Sequence, residues 1–265
     1  MNIGFLGTGN MGGALATAAA AAQGGDSLLL CDVNTEKAEA LACELGGTAV
    51  TLSQLLERSD YIFLGVKPQV LEAALQPLRD ALRPEQVLIS MAAGVPVARV
   101  KEYTGGVCPV IRIMPNTPVA VGQGMVLYTP DEGVTAAQEE DFCRILTAAG
   151  RLCKIPEALI DAGSAVSGCG PAFAYLFIEA LADGGVECGL PRQQALTLAA
   201  QTVLGAEQMV LETARHPGEL KDAVCSPGGT TIAGVHALEN GGFRSLAMDA
   251  VTAAYDRTLE LAGKK

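Results

Sequence analysis

The sequence has no tryptophan, and aromatic residues make up only 4% of it. A core built on stacked rings is therefore excluded. Packing must rest on Ala, Leu and Val, and with 49% hydrophobic residues these suffice for a sizeable interior. Basic charge is also scarce, with 18 Lys and Arg against 29 Asp and Glu and a formal net charge of -11. No overall field draws such a chain to nucleic acid or to an anionic membrane surface. A bound phosphate has to be held locally, by backbone N–H groups and single cations. The two histidines, His216 and His236, stand at no metal-ligand spacing. Both are read as structural, and no metal site is expected. Eight cysteines are scattered without a C-x-x-C pair, the pattern of reduced buried thiols in a cytosolic protein. Met1-Asn2-Ile3 carries no basic signal-peptide region, and the apolar stretch Ala14–Ala22 is too short to cross a bilayer. The expectation is a soluble, cytoplasmic protein without nucleic-acid or membrane partners.

The chain reads as two halves. Up to about Pro156, short apolar runs alternate with helical patterns. Strands are predicted at Ile3–Leu6, Ser27–Cys31, Tyr61–Gly65, Val87–Met91, Val110–Met114 and Met125–Tyr128. Helices are predicted near Met11–Ala22, Glu36–Leu45, Gln69–Leu82 and Thr135–Ala149. Alternation of this kind implies parallel β-α-β units and a Rossmann-like doubly wound sheet. Beyond it the strand signal vanishes, and Ala/Leu-rich stretches run over Pro171–Glu187, Pro191–Arg215 and Phe243–Ala262. The expected fold class is α/β: a dinucleotide-binding domain at 1–158 followed by an all-helical domain at 159–265. Ala195–Val210 is apolar on more than one face. It needs more cover than the helical half supplies, so helices of a partner subunit should complete that core.

Gly7-Thr8-Gly9-Asn10-Met11-Gly12 is a G-x-G-x-x-G that follows the predicted strand ending at Leu6 and opens a helix. Gly7 allows the tight turn, Gly9 lets a pyrophosphate reach the backbone, and Gly12 lets helix and strand pack closely. The helix start adds unpaired N–H groups and partial positive charge. Asp32 closes the second strand, where a carboxylate meets the adenosine ribose. That favours NADH, whereas Asn34, Thr35 and Lys37 beside it suit the 2′-phosphate of NADPH, and the choice stays open. Val66-Lys67-Pro68, Ala92-Ala93-Gly94 and Asn116 lie after later strands, at the carboxyl edge where open sheets bind ligands.

Ser226-Pro227-Gly228-Gly229-Thr230-Thr231 precedes a helical run and contains no Lys or Arg. Such a loop is an anion cradle suited to a small carboxylate. Together with Gly7–Gly12, Val66–Pro68, Ala92–Gly94, Met114–Pro118, Ser167–Phe173 and Glu239–Arg244, it closely resembles the signature of pyrroline-5-carboxylate reductase, in order along nearly the whole chain. Two departures are visible: Cys169 and Phe173 stand where the family often has Ser and Tyr. The resemblance implies reduction of 1-pyrroline-5-carboxylate to L-proline by NADPH or NADH. It also implies a dimer of interleaved C-terminal helices, commonly assembled to a decamer, and a substrate site between one subunit's Rossmann domain and the helical domains. Substrate contacts then fall on Glu157, Ser226, Gly228, Gly229, Thr230 and Thr231. Cofactor contacts fall on Leu6, Gly7, Thr8, Gly9, Asn10, Met11, Gly12, Asp32, Val66, Lys67, Pro68, Ala92, Ala93, Gly94 and Asn116. Thr231 is the candidate for hydrogen bonding to the ring nitrogen. A hydroxyacid dehydrogenase of similar architecture would instead want a lysine base, and Lys221 is the nearest candidate.

Overall fold

The computed structural model describes residues 1–263. Its strands are β1 (Ile3–Leu6), β2 (Leu28–Cys31), β3 (Thr48–Ala49), β4 (Tyr61–Leu64), β5 (Val87–Ser90), β6 (Val110–Pro115), β7 (Gly124–Pro130) and β8 (Gly150–Lys154). They form one sheet in the order β3-β2-β1-β4-β5-β6-β7-β8. Every neighbouring pair is parallel except β6 with β7. The connecting helices are α1 (Asn10–Gln23), α2 (Thr35–Leu45), α3 (Leu52–Arg58), α4 (Pro68–Leu75), α5 (Val97–Thr104), α6 (Ala136–Ile145) and α7 (Glu157–Ser167). The order reverses at β1 and β4, where a doubly wound sheet opens its ligand crevice.

The period-2 pleat sends alternate residues to two apolar layers. Ile3, Phe5, Tyr61 and Phe63 join one layer with Ala16 and Ala19 of α1 and Phe142 of α6, and Phe5 stacks on Phe63 at 4.6 Å between centroids. Ile62 and Leu64 point the other way, against Leu55, Leu71, Leu75 and Val100. Burial on both faces is why these strands read as unbroken apolar runs. Helix starts follow local chemistry. Thr51 with Gln54 and Thr135 with Gln138 each make a capping box, and the Asn34 side chain accepts from the N–H of Lys37. The helix expected over Gln69–Leu82 stops at Leu75 and continues as a 3-10 turn over Gln76–Leu78. Pro77 has no N–H to donate and its ring clashes with the preceding turn.

By their contacts the residues divide into two compact units: Met1–Cys169 with the chain end from Ala254, and Gly170–Ala253. The second unit holds α8 (Gly170–Glu187), α9 (Arg192–Thr213), α10 (Pro217–Ala223), α11 (Thr230–Asn240) and the start of α12 (Phe243–Leu261). Among the described residues no strand follows Lys154. The core of this unit is thin, with Ala182, Ala195 and Ala199 buried. Large apolar side chains stand in the open: Leu176 is 68% exposed, Leu246 64% and Met248 70%. The stretch Glu157–Glu187 is long and apolar enough to cross a membrane by length and composition alone, and little of it is buried.

Candidate active site

Three glycines close the nucleotide end. Gly7 sits at φ +98, directly after β1. A Cβ on Gly12 would lie 2.1 Å from the Gly7 carbonyl oxygen, and one on Gly65, after β4, would lie 2.4 Å from the same atom. Only hydrogen fits at these contacts, so β1, α1 and the end of β4 meet backbone to backbone. Gly9 differs. A Cβ there would have nothing within 4 Å, and Gly9 is the N-cap of α1 with no side-chain cap on the helix. This is an open cradle lined by the first N–H groups of a helix, as a pyrophosphate requires. Asn10 is exposed, while Leu6 and Met11 are half-buried at the edge of the apolar layers.

Asp32 follows β2, and its carboxylate is largely spent inside the protein. Oδ2 accepts from the Thr8 N–H at 2.7 Å and from the Thr8 hydroxyl at 3.0 Å, and Oδ1 accepts from the Asn34 N–H at 3.0 Å. Partial burial pushes its pKa up. The bonds from Asn34 and Thr8 and the nearby charge of Lys37 outweigh that and hold it below the usual carboxylate value. Asp32 thus braces the glycine loop through Thr8, which is itself buried. Beside it lies a cleft of about 530 Å³ lined by Leu6, Cys31, Asp32, Val33, Thr35 and Ala38, among others.

Lys67 is the exposed N-cap of α4, and Pro68 occupies the first helical position. Val66 packs against the core. Ala92 is buried, Ala93 exposed, and Gly94 has φ +74. Pro68, Ala93 and Gly94 line a second cavity, of about 580 Å³, with Arg99 and Tyr103 of α5, Thr258 and Leu261 of α12, and Ala262 just after it. The loops after β4 and β5 are therefore brought together, while both ends of the Asn116 amide are taken. Its Nδ2 donates to the Ser167 carbonyl at 2.9 Å, and its Oδ1 accepts from the Met125 N–H at 2.8 Å. Glu157 opens α7, and its Oε1 accepts from the Val97 N–H at 2.7 Å and from Arg112 at 3.4 Å. Sequence reasoning missed Arg112 and its second partner, Asp161, which accepts at 2.8 Å. The available signal was an arginine inside the apolar run Val110–Met114.

In the second unit, Ser226-Pro227-Gly228-Gly229 forms a β-turn closed by the Gly229 N–H to the Ser226 carbonyl at 3.0 Å. Proline at its second position and Gly228 at φ +68 at its third are the type II pattern. Gly229 is the N-cap of α11 and lends it no side-chain cap. The turn thus consumes the Gly229 N–H and presents the helix start, with Thr230 and Thr231 exposed in its first turn. Lys221 is ion-paired with the adjacent Asp222, and hydrogen bonding to that carboxylate raises its pKa. A lysine base needs the opposite shift.

Residues 157–261 match the family model described as pyrroline-5-carboxylate reductase dimerisation, and residues 2–94 match that of NADP oxidoreductase, coenzyme F420-dependent. A pyrroline-5-carboxylate reductase of Methanosarcina acetivorans is 42% identical over 266 residues, 99% of this chain and 98% of that protein. That of Arabidopsis thaliana is 47% identical over 211 residues, 80% of this chain and 76% of the relative. Among solved structures, a pyrroline-5-carboxylate reductase from Coxiella burnetii has a TM-score of 0.92 at 32% identity, with 98% of each chain covered. Plasmodium falciparum pyrroline carboxylate reductase, solved with NADP bound, has a TM-score of 0.87 at 32% identity, covering 99% of this chain and 98% of that one. Identity at this level, along nearly the full length of both partners, makes the chain a member of the pyrroline-5-carboxylate reductase family.

Proposed function

We propose that the turn Ser226–Thr231 holds the substrate carboxylate in an enzyme that reduces 1-pyrroline-5-carboxylate to L-proline, the last step of proline biosynthesis. The observation that carries this is the uncapped start of α11 behind a stiff Ser-Pro-Gly-Gly turn without a cation in it. N–H groups at a helix start bind anions, and with no Lys or Arg in the turn a small carboxylate fits it better than a polyphosphate. Glu157, Ser226, Gly228, Gly229, Thr230 and Thr231 form the substrate set, with Gly229 holding the turn closed while its neighbours bind.

NAD(P)H, when bound, supplies the hydride. Gly7–Gly12 and the open space at Gly9 fit its pyrophosphate, and the cleft beside Asp32 has the size of a nucleoside pocket. Leu6, Val66, Lys67, Pro68, Ala92, Ala93 and Gly94 complete the cofactor set, and Asn116 acts in it by holding β7 and the end of α7. A protonated imine is already electrophilic and turns into a neutral amine, so no strong general acid is needed. The Thr231 hydroxyl orients the ring nitrogen by a hydrogen bond. Holding cofactor and substrate together in reacting geometry can supply up to about 7–11 kcal/mol of the barrier, of which one hydrogen bond is a small part. Thr231→Ala is expected to lower kcat/KM by more than about tenfold, and a loss within about twofold refutes its role. Steady-state kinetics with pyrroline-5-carboxylate, run with NADH and NADPH in parallel, test the whole reading. Consumption of neither cofactor overturns it.

The chain is a homo-oligomer through its dimerisation region. We assign the exposed apolar faces of α8, α9 and α12 to a dimer of interleaved helices, itself assembled to a decamer, and place the functional boundary at 158/159. In this reading the stretch Glu157–Glu187 is covered by protein rather than lipid and the enzyme is cytoplasmic. Light scattering without detergent tests it, and a monomer or an aggregate argues against it.

A further inference from the structure

We propose that Asp32 sets the cofactor preference of this chain, favouring NADH by placing a fixed negative charge where NADPH carries its 2′-phosphate. The proposal rests on the reading that Gly7–Gly12 holds the pyrophosphate and that the cleft beside Asp32 receives the adenosine. Three hydrogen bonds anchor the carboxylate. Oδ2 accepts from the N–H and the hydroxyl of Thr8, which is 3% exposed, and Oδ1 accepts from the Asn34 N–H. The carboxylate therefore cannot swing away from an incoming phosphate without stranding the buried Thr8 donors. Nor can it shed its charge. Partial burial raises its pKa, but the bonds from Asn34 and Thr8 and the charge of Lys37 outweigh this and hold it below the usual carboxylate value. With that usual value near 4, protonation to admit a phosphate at pH 7 would weaken binding by about a thousandfold or more.

The surroundings do not offset the charge. Asp32 and Glu39 put two carboxylates into the lining of the cleft, and no Lys or Arg stands among its described lining residues. Thr35, Ala38 and Glu39 face the cleft from one side of α2. Lys37 lies two positions from both Thr35 and Glu39, off that face, and is exposed. Val33, fully exposed, brings only an apolar side chain. The Asn34 amide and the Thr35 hydroxyl are neutral: they bond a ribose hydroxyl as well as a phosphate and supply no counter-charge. Oδ1 of Asp32 accepts a single hydrogen bond, which leaves it a lone pair for a ribose hydroxyl. A 2′-hydroxyl can donate to that lone pair. A 2′-phosphate, ionised at neutral pH, brings further acceptors and negative charge instead. Discrimination of this kind works by repelling the wrong ligand.

The test is the Kd of the full chain for NADH and for NADPH, each measured by fluorescence without imine at low salt. NADH should bind about tenfold or more tighter. Equal affinities, or tighter binding of NADPH, overturn the proposal. Asp32→Asn should narrow the ratio of the two Kd values by about fivefold or more. Loss of the brace to Thr8 weakens both cofactors alike and cancels in that ratio, so an unchanged ratio overturns the role of Asp32. Should Asp32→Asn not fold, salt decides on the wild-type chain. Between about 20 mM and 0.5 M NaCl the repulsion is screened, and NADPH should gain on NADH by about threefold or more. A ratio that stays fixed, or that moves further toward NADH as a cation-held phosphate is released, overturns the proposal. The two levels fail differently. If neither cofactor binds, the nucleotide reading of Gly7–Gly12 fails and the preference falls with it. If both bind equally, that reading stands and the preference alone is lost.

Discussion

Gly9 and Gly12 belong to one motif, yet substitution by alanine should act on different properties. At Gly9 the backbone is extended, with φ -64 and ψ -173, a region open to any residue. A Cβ there meets no atom within 4 Å. Alanine narrows the unfolded ensemble, a gain of about 0.4–1 kcal/mol, and is a poorer N-cap than glycine by a similar amount. The two offset, so the melting temperature should move by no more than about 2 °C. The same methyl lies where a pyrophosphate meets the helix start. Overpacking there costs about 1–3 kcal/mol, or roughly 5- to 150-fold in NADPH Kd. At Gly12 the Cβ would stand 2.1 Å from the Gly7 oxygen, so α1 must move off β1 whether or not cofactor is present. Overpacking there costs stability, and the helix-propensity gain of about 1 kcal/mol recovers only part of it. Thermal melts and a fluorescence titration with NADPH, on both variants, give the comparison. If Gly9→Ala binds NADPH as wild type does, the pyrophosphate does not lie over Gly9. If it melts as early as Gly12→Ala, the space around Gly9 is not open.

Other outcomes follow from single features. Ala214, after α9, is the one described non-glycine residue with positive φ, at +53. Ala214→Gly should relieve the αL penalty and stabilise the protein by about 0.5–1 kcal/mol after the entropic loss, read by denaturant unfolding; a destabilisation refutes it. Burial pushes the Cys108 thiol up to about 11. Thiol titration of the native protein should therefore find the exposed Cys43 and Cys188 reactive and Cys108 silent until denaturant is added, and early reaction of Cys108 contradicts its burial. Asp32 has its pKa lowered on folding, so the stability it adds is present above its unfolded value near 4 and is lost as pH falls through the folded one. Asp32→Asn should flatten the acid limb of the stability curve below about pH 4 and leave the neutral limb's slope alone; an unchanged acid limb refutes the brace.

Much of this was legible in the residues, for identifiable reasons. Central strands such as Tyr61–Leu64 and Val87–Ser90 are buried on both faces, so their apolar runs stand out. The Gly7–Gly12 and Ser226–Thr231 loops carry their geometry in residue types that few other backbones need. β8 escaped notice because Gly150–Lys154 mixes Arg and Lys with apolar residues at the sheet edge. α5 escaped because it has eight residues and only three buried ones. Side-chain partners were the least legible. Asp32 looked free to read a ribose, and its engagement with Thr8, 24 positions earlier, exists only once β1 and β2 pair. Arg112 and Glu157 are 45 positions apart, and nothing local to either names the other.

The end of α12 belongs with the first unit, as does Ala262 just after it, which would stand 3.6 Å from a Cβ on Gly94. That places one wall of the cavity beside the cofactor loop 168 positions downstream of the glycine it faces. On a ribosome the sheet emerges well before this wall. At about 5–20 residues per second, the gap is roughly 10–30 s. For that interval the nascent sheet has its glycine loop but an incomplete pocket. Completion of the cavity thus waits on synthesis as far as Ala262, and a chain released before that residue lacks this wall.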